Sequence, residues 1–146
     1  MLKRILCAAL ASGALVLSGS AAAQELKIAL IAGKTGPLEA YAKDTEKGFM
    51  LGLEYLTNGT MALNGRKIRV IVKDDQLKPD LGKAMLAEAH ADDKVDIAVG
   101  TTSSGVALAM LPVAEEYKKV LIVEPAVADA ITGDKWNRYT FRTGRN

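Results

Sequence analysis

Four short apolar segments recur along the chain and restrict its fold more than any other feature of the sequence. They are LKIALIAG (26–33), IRVIV (68–72), VDIAVG (95–100) and VLIVEP (120–125). Nearly continuous apolar runs rich in β-branched residues are typical of strands buried on both faces, which occur in parallel sheets covered by helices. The chain is therefore predicted to fold as an α/β protein.

The segments between these runs have the spacing of helices. Each of three segments is predicted to form a helix with one apolar face. The apolar residues are Phe49, Leu53 and Leu56 in the first helix and, after Pro79, Leu81, Met85 and Ala89 in the second. In the third helix they are Val106, Met110, Val113 and Tyr117. A short helical turn is expected in VADAITGD (127–134), followed by a fifth strand in RYTFRT (138–143). This alternation predicts a doubly wound, parallel, five-stranded sheet.

Two local signals refine that prediction. The Asn64-Gly65 dipeptide favours a tight turn, so MALNGRKIRV (61–70) is predicted to form a small hairpin leading into the second long strand. Pro112 interrupts the third helical pattern because proline lacks an N–H donor. We expect a kink there, or a helix that restarts with Pro112 in its first turn.

The amino terminus has the features of an export signal. Lys3 and Arg4 precede an uncharged apolar run over 5–17, and three alanines before Gln24 provide small residues for cleavage. The run is shorter than the roughly 20 residues needed to cross a bilayer. We expect residues 1–23 to be a signal peptide that is cleaved near Ala23, and the product to reach the periplasm without membrane insertion.

Composition restricts the chemistry of the remaining domain, residues 24–146. Cys7 is the only cysteine and lies in the predicted signal, so no disulfide, cysteine nucleophile or thiolate metal site is expected. Without Lys3 and Arg4 the 19 basic residues become 17, which equals the 17 acidic residues. This balance does not favour a nucleic acid partner.

Two motifs that suggest chemistry have simpler interpretations. The segment GKTG (33–36) resembles part of a phosphate loop, but Ile28 stands where that loop requires its first glycine. The pairs Asp74-Asp75 and Asp92-Asp93 are interpreted as turn and cap residues, positions that favour aspartate for local hydrogen bonding. No cofactor or metal is therefore expected.

His90 is the only histidine and is interpreted as a solvated group on a helix of polar and small residues. Its place near the end of the second helix is at the opposite edge of the sheet from Ser103 and Ser104. A serine triad is therefore not expected, and no residue is predicted to be catalytic.

The run Thr101-Thr102-Ser103-Ser104 lies where a strand ends and a helix begins. Ligands of such sheets bind beyond the carboxyl ends of the strands, and capping the helix needs only one hydroxyl. A helix amino terminus favours an anion by about 0.3–1 kcal/mol, and each hydrogen bond to a charged group adds about 1.5–3 kcal/mol. The run therefore predicts binding of a carboxylate.

Two other loops, 34–42 and 125–129, are predicted to reach the same edge of the sheet. Tyr41 in the first of them has two interpretations. It is either a partly buried loop residue or an aromatic wall that packs over a ligand.

Four segments carry a resemblance to a known family by their order and spacing. They are TGPLEAYAKDTEKGFMLGLEYLTNG (35–59), NGRKIRVIVKDDQLKPD (64–80), VDIAVGTTSSGVALAMLPVAEEYKKVLIVEPA (95–126) and RYTFRTGRN (138–146). Together they resemble the type I periplasmic binding proteins of the leucine/isoleucine/valine-binding family, the solute receptors of ABC importers. The resemblance implies reversible binding rather than catalysis, and a permease as partner.

The resemblance also implies a set of ligand contacts. It assigns contacts to a loop tyrosine, to the turn after the third long strand, where hydroxyl and N–H groups hold a carboxylate, and to the loop after the fourth. The matching residues are Tyr41, Thr102, Ser103, Ser104, Ala126, Val127 and Ala128. Ala128 stands where amino-acid binders commonly have a hydroxyl that helps to fix the ammonium group, so aromatic or aliphatic acids are candidates beside branched-chain amino acids.

The family has two similar lobes around a cleft. The chain is therefore interpreted as a truncated amino-terminal lobe, residues 24–146, whose affinity for ligand should be poor because half a cleft leaves the ligand in water. Two alternatives are a ligand-sensing ectodomain of a receptor with the same fold, and a flavodoxin-like or hydrolytic enzyme.

Overall fold

A computed structural model describes residues 24–144 of the chain. The predicted signal peptide and its cleavage site lie outside these residues. Within the described part, no helix combines the length and apolarity that crossing a bilayer requires.

The elements alternate along the chain as the sequence predicts. In order they are β1 (Leu26–Ala32), α1 (Glu39–Leu56), β2 (Ala62–Leu63), β3 (Arg66–Asp74), α2 (Pro79–Ala91), β4 (Ile97–Gly100), α3 (Ser104–Tyr117), β5 (Val120–Val123), a short 3-10 turn (Asp129–Ile131) and β6 (Thr140–Arg142). The helical turn predicted in 127–134 and the strand predicted in 138–143 are both present.

The strands form one sheet in the order β2-β3-β1-β4-β5-β6. All neighbouring strands from β3 to β6 are parallel, which confirms the doubly wound sheet. The sixth strand is β2, which pairs antiparallel with β3. It is the first arm of the predicted hairpin, and Asn64 and Gly65 have φ values of 50° and 79°, as a type I′ turn requires.

One face of the sheet carries the larger core, beneath α2 and α3. It is built from alternate residues of the central strands and from the inward faces of the two helices, and its fully buried large members include Ile31, Leu86, Val106, Met110 and Leu121. Alternate strand positions point to this face because successive side chains of a strand point to opposite sides.

The other face is covered less completely, by α1. Ile28, Leu30 and Val99 form its buried cluster, against which Phe49 packs. Leu56 shares the predicted face of α1 with Phe49 but is 75% exposed. Helical spacing identifies a common face of a helix, but it does not show how far the sheet extends beneath that face.

Pro112 lies inside α3, which is continuous from Ser104 to Tyr117. The expectation that a helix restarts at Pro112 is therefore wrong. A proline inside a helix costs about 3 kcal/mol through the missing donor and a steric clash. The burial of Met110, Leu111, Val113 and Ala114 in the core offsets this cost.

The interpretation of His90 as a solvated side chain is also wrong, since His90 is only 5% exposed. It lies in the last turn of α2, and its ring centroid is 5.5 Å from that of Tyr117 at the end of α3. Within the described residues 24–144, neither ring nitrogen has a hydrogen-bond partner. The packing of α2 on α3 buries this position, and the composition of α2 alone does not reveal it.

The environment of His90 predicts that acid destabilises the fold. Burial, together with the positive charge of Lys119, lowers the pKa of His90. The unfolded chain takes up a proton at this residue near pH 6.5, whereas the folded chain does so only at lower pH, so this part of the stability is present above about pH 6.5 and is lost as pH falls. The free energy of unfolding should therefore decrease between about pH 7.5 and pH 5.

Urea denaturation at several pH values measures this effect, with His90→Phe as the comparison because phenylalanine keeps a ring against Tyr117. The carboxylates titrate in both proteins, so the difference between the two curves isolates His90. We expect the variant to lose less stability than the native chain on acidification. Parallel curves for the two proteins would contradict the prediction.

Candidate functional site

Three strand ends meet at one edge of the sheet. The strands β1, β4 and β5 are adjacent and parallel, so the loops that follow them lie side by side. We call this edge the rim, which comprises residues 33–38, 101–104 and 124–128. It is the edge where ligands of doubly wound sheets bind.

The hydroxyl run at the rim divides into an inner and an outer pair. Thr101 is 0% exposed, and its hydroxyl donates to the carboxylate of Asp75. Thr102 is also buried, and its Oγ1 accepts the N–H of Gly33 at 3.2 Å. These two hydroxyls connect neighbouring loops.

Ser103 and Ser104 form the outer pair, and both are half-buried. Ser103 is the N-cap residue of α3, with extended φ and ψ of −94° and 129°, and its side chain makes no capping hydrogen bond. Ser104 Oγ accepts the N–H groups of Val127 at 3.2 Å and Ala128 at 3.1 Å. The structure thus brings the turn after β4 and the loop after β5 together at one atom.

The hydrogen bonds of Ser104 determine what its hydroxyl offers a ligand. A hydroxyl has two acceptor lone pairs and one hydrogen, and the two N–H donors occupy the lone pairs. Its hydrogen is the group left for a ligand. The first N–H groups of α3 have no partner within the helix and carry the positive end of its dipole. This arrangement suits an anionic oxygen.

Two aspartates, Asp74 at the end of β3 and Asp75 directly after it, organise the loops beneath the rim. Desolvation is the largest single influence on the pKa of Asp74 and raises it, but hydrogen bonds from Gln76, Thr35 and Lys34 together outweigh it, so the pKa is lowered. Burial, reinforced by the charge of Asp74, raises the pKa of Asp75, while hydrogen bonds from its neighbours oppose the rise. The interpretation of this pair as turn residues is confirmed, since each accepts an N–H two residues ahead.

Sequence reasoning missed the second role of Asp75, which is to hold Thr101. The only signal in the sequence is a second aspartate directly after a buried strand. The other pair, Asp92-Asp93, is structural as predicted. Asp92 is the C-cap of α2, and the carboxylate of Asp93 lies 2.8 Å from Lys73 Nζ.

Tyr41 lies in the first turn of α1 and is 64% exposed. The expectation of a partly buried loop residue is therefore wrong, and its role as an aromatic wall stays a prediction. Among residues 24–144 no hydrogen bond connects Tyr41 to the outer serines. Residues 126–128 of the loop after β5 are apolar, with Ala126 buried and Val127 47% exposed, whereas the first residue of the loop is Glu124.

The structure also separates the only histidine from the serines. Ser104 begins α3, whereas His90 contacts Tyr117 at the other end of that helix. At 1.5 Å per residue these ends are about 20 Å apart, so the two side chains do not form a triad. Within the described range no three acidic or histidine side chains are grouped so that they could hold a metal ion.

The parallel sheet and the helices on its two faces define an α/β lobe of the doubly wound type. The chain belongs to the periplasmic binding protein family, whose model matches residues 25–146. A search of curated proteins found no match.

Solved structures with the same fold are similar over most of the chain. An ABC-type branched-chain amino acid transporter from Rhodopseudomonas palustris CGA009 is 76% identical over 84% of this chain and 33% of its own, with a TM-score of 0.83. A solute binding protein of an ABC transporter from Rhodopseudomonas palustris BisB5, in complex with 3,4-dihydroxy benzoic acid, is 31% identical over 84% of this chain and 32% of its own, with a TM-score of 0.76.

A third similar structure has a different ligand. It is the branched-chain amino acid transporter substrate binding protein LivJ from Streptococcus pneumoniae, in complex with isoleucine. It is 25% identical over 81% of this chain and 33% of its own, with a TM-score of 0.73. The chain thus spans about a third of the length of the solved structures that it matches.

Proposed function

We propose that residues 24–146 are the amino-terminal lobe of the solute-binding component of an ABC importer. In this proposal residues 1–23 direct export, and the lobe works in the periplasm, where it binds a small carboxylate ligand for delivery to a permease. Binding is reversible and no bond in the ligand is made or broken. Membership of the periplasmic binding protein family supports this proposal.

The observation that carries the proposal is the hydrogen bonding of Ser104. Because its Oγ accepts two N–H groups, its hydroxyl acts toward a ligand as a donor. A donor beside the amino terminus of α3 favours a carboxylate by about 1.5–3 kcal/mol for one hydrogen bond to a charged group. Thr102 and Ser103 add main-chain or side-chain donors in the same turn.

The loop after β5 supports a ligand with an apolar body. Ala126, Val127 and Ala128 offer methyl groups and no side-chain acceptor, and Tyr41 is assigned to the wall above them. These three residues therefore offer an ammonium group only their main-chain carbonyls. We propose a branched-chain amino acid or an aromatic acid, the two kinds of ligand named for the similar structures.

A titration followed by NMR tests this proposal, because amide shifts detect weak binding. Sodium benzoate and L-isoleucine are the probes, and benzamide and L-isoleucinamide are their matched controls, which lack the carboxylate. We expect at least one acid to shift the amide signals of Ser103, Ser104 and Gly105, while its amide does not. Equal shifts from an acid and its amide would contradict carboxylate binding at α3.

A further inference from the structure

A buried carboxylate lies directly behind the rim. Asp75, the first residue after β3, is 0% exposed. One of its oxygens, Oδ1, accepts the N–H of Leu77 at 2.8 Å. The other, Oδ2, accepts the hydroxyl of Thr101. This side chain therefore connects the loop after β3 with the loop after β4.

The main chain of Asp75 connects two more segments. Its N–H donates to the carbonyl of Ala32, the last residue of β1, at 3.1 Å. Its carbonyl accepts the N–H of Lys78 at 2.8 Å, immediately before α2. Asp75 thus fixes its own position relative to β1 and α2 while its carboxylate holds Thr101.

Thr101 extends this connection to the loop after β5. Its carbonyl accepts the N–H of Ala126 at 3.2 Å. The next two residues after Ala126 donate the N–H groups that Ser104 Oγ accepts. A chain of contacts therefore leads from Asp75 through Thr101 to the atom assigned to the ligand carboxylate.

Apart from the turn hydrogen bond to Leu77, a stabilising role does not explain a carboxylate at this place. Burying an acid without a cation costs free energy unless hydrogen bonds compensate it, and no lysine or arginine among residues 24–144 forms an ion pair with Asp75. An apolar residue of similar size would avoid that cost. What the carboxylate provides is a directed acceptor for the hydroxyl of Thr101.

We propose that Asp75 is a positioning residue for ligand binding. Through Thr101 it holds the loop after β5 where the N–H groups of that loop meet Ser104 Oγ, and it does so without touching the ligand. The proposal rests on the proposed function, because the placement of this loop affects affinity only if Ser104 binds the ligand.

The first test compares the affinity of Asp75 variants for sodium benzoate and L-isoleucine by NMR titration of the full chain. Asp75→Leu should weaken binding at least about tenfold, since it removes the acceptor of the Thr101 hydroxyl. Asp75→Asn should stay within about threefold of the native chain, because its amide group can donate to Thr101 Oγ1 and its oxygen can accept from Leu77. The exposed Asp134→Asn is the control and should leave affinity unchanged.

The second test measures amide hydrogen exchange without ligand. In Asp75→Leu the amide of Ala126 should exchange at least about tenfold faster than in the native chain. The amides of Val95 and Asp96, which bond to Ala89 and Lys27 at the opposite edge of the sheet, should keep their rates. General destabilisation would accelerate both groups equally, and that result would overturn the positioning role.

The two tests separate this proposal from the proposed function. If the native chain binds neither acid, the proposed function fails for both probes and the role of Asp75 in binding them fails with it, while exchange at Ala126 decides only whether Asp75 holds the loop after β5. If the acids bind and Asp75→Leu changes neither affinity nor exchange at Ala126, the positioning role is overturned while the proposed function stands.

Discussion

Ser104→Ala is expected to weaken the binding of benzoate or isoleucine by about 1–3 kcal/mol, which corresponds to about a 5- to 150-fold rise in Kd. The variant removes the hydroxyl hydrogen that the ligand carboxylate would accept. It also leaves the N–H groups of Val127 and Ala128 without the acceptor they have in the native chain. Both effects weaken binding. The first removes a hydrogen bond to the ligand, and the second releases the loop after β5 from Ser104 at the start of α3.

The measurement is the NMR titration, with Thr60→Ala as a matched control. Thr60 donates its hydroxyl to the carbonyl of Thr57 just after α1, at the opposite edge of the sheet from the rim. Its removal should cost some stability without changing affinity. An unchanged affinity of Ser104→Ala for an acid that the native chain binds would exclude Ser104 from the ligand site.

Ser103→Ala separates the two outer hydroxyls. Ser103 makes no capping hydrogen bond with its side chain, so its removal should change stability little. A loss of affinity in Ser103→Ala would therefore report direct contact with the ligand. The losses of affinity in Ser103→Ala and Ser104→Ala together show how much each hydroxyl contributes to binding the ligand carboxylate.

Much of the fold was predictable because its signals are local. Buried strands of a parallel sheet are short apolar runs, and Asn64-Gly65 selects a tight turn whatever surrounds it. The exposure of Leu56 and the burial of His90 were not predictable in the same way. Each depends on which element packs against that side of the helix, and the sequence of the helix itself does not show which element that is.

The location of the hydroxyl run at the rim was predictable, but the separate roles of its hydroxyls were not. The run 101–104 follows a strand and precedes a helix, which places it at the rim. Its division into inner and outer pairs depends on partners far away in the sequence, since Asp75 is 26 residues from Thr101 and Gly33 is 69 residues from Thr102. The sequence does not distinguish the roles of four consecutive hydroxyl residues until those partners are known.

Gly100→Ala is expected to lower the free energy of unfolding by about 2–4 kcal/mol. Gly100 ends β4 with φ of 151°, a conformation that residues with a Cβ rarely adopt. A Cβ at this position would lie 2.1 Å from the carbonyl oxygen of Ile31. Ile31 is the residue of β1 paired with Gly100 and is fully buried, so the obstacle is main chain in the centre of the sheet.

Gly59→Ala is the matched control for this variant, and urea denaturation followed by circular dichroism measures both. Gly59 also has a positive φ, 77°, but nothing lies within 4 Å of a Cβ built there. Its substitution should therefore cost only the conformational strain, about 1–2 kcal/mol. If the two variants lose equal stability, the close approach of β1 and β4 does not restrict which residue can occupy position 100. A larger loss in Gly100→Ala would show that the close approach of β1 and β4 requires glycine at the end of β4, directly before the rim residue Thr101.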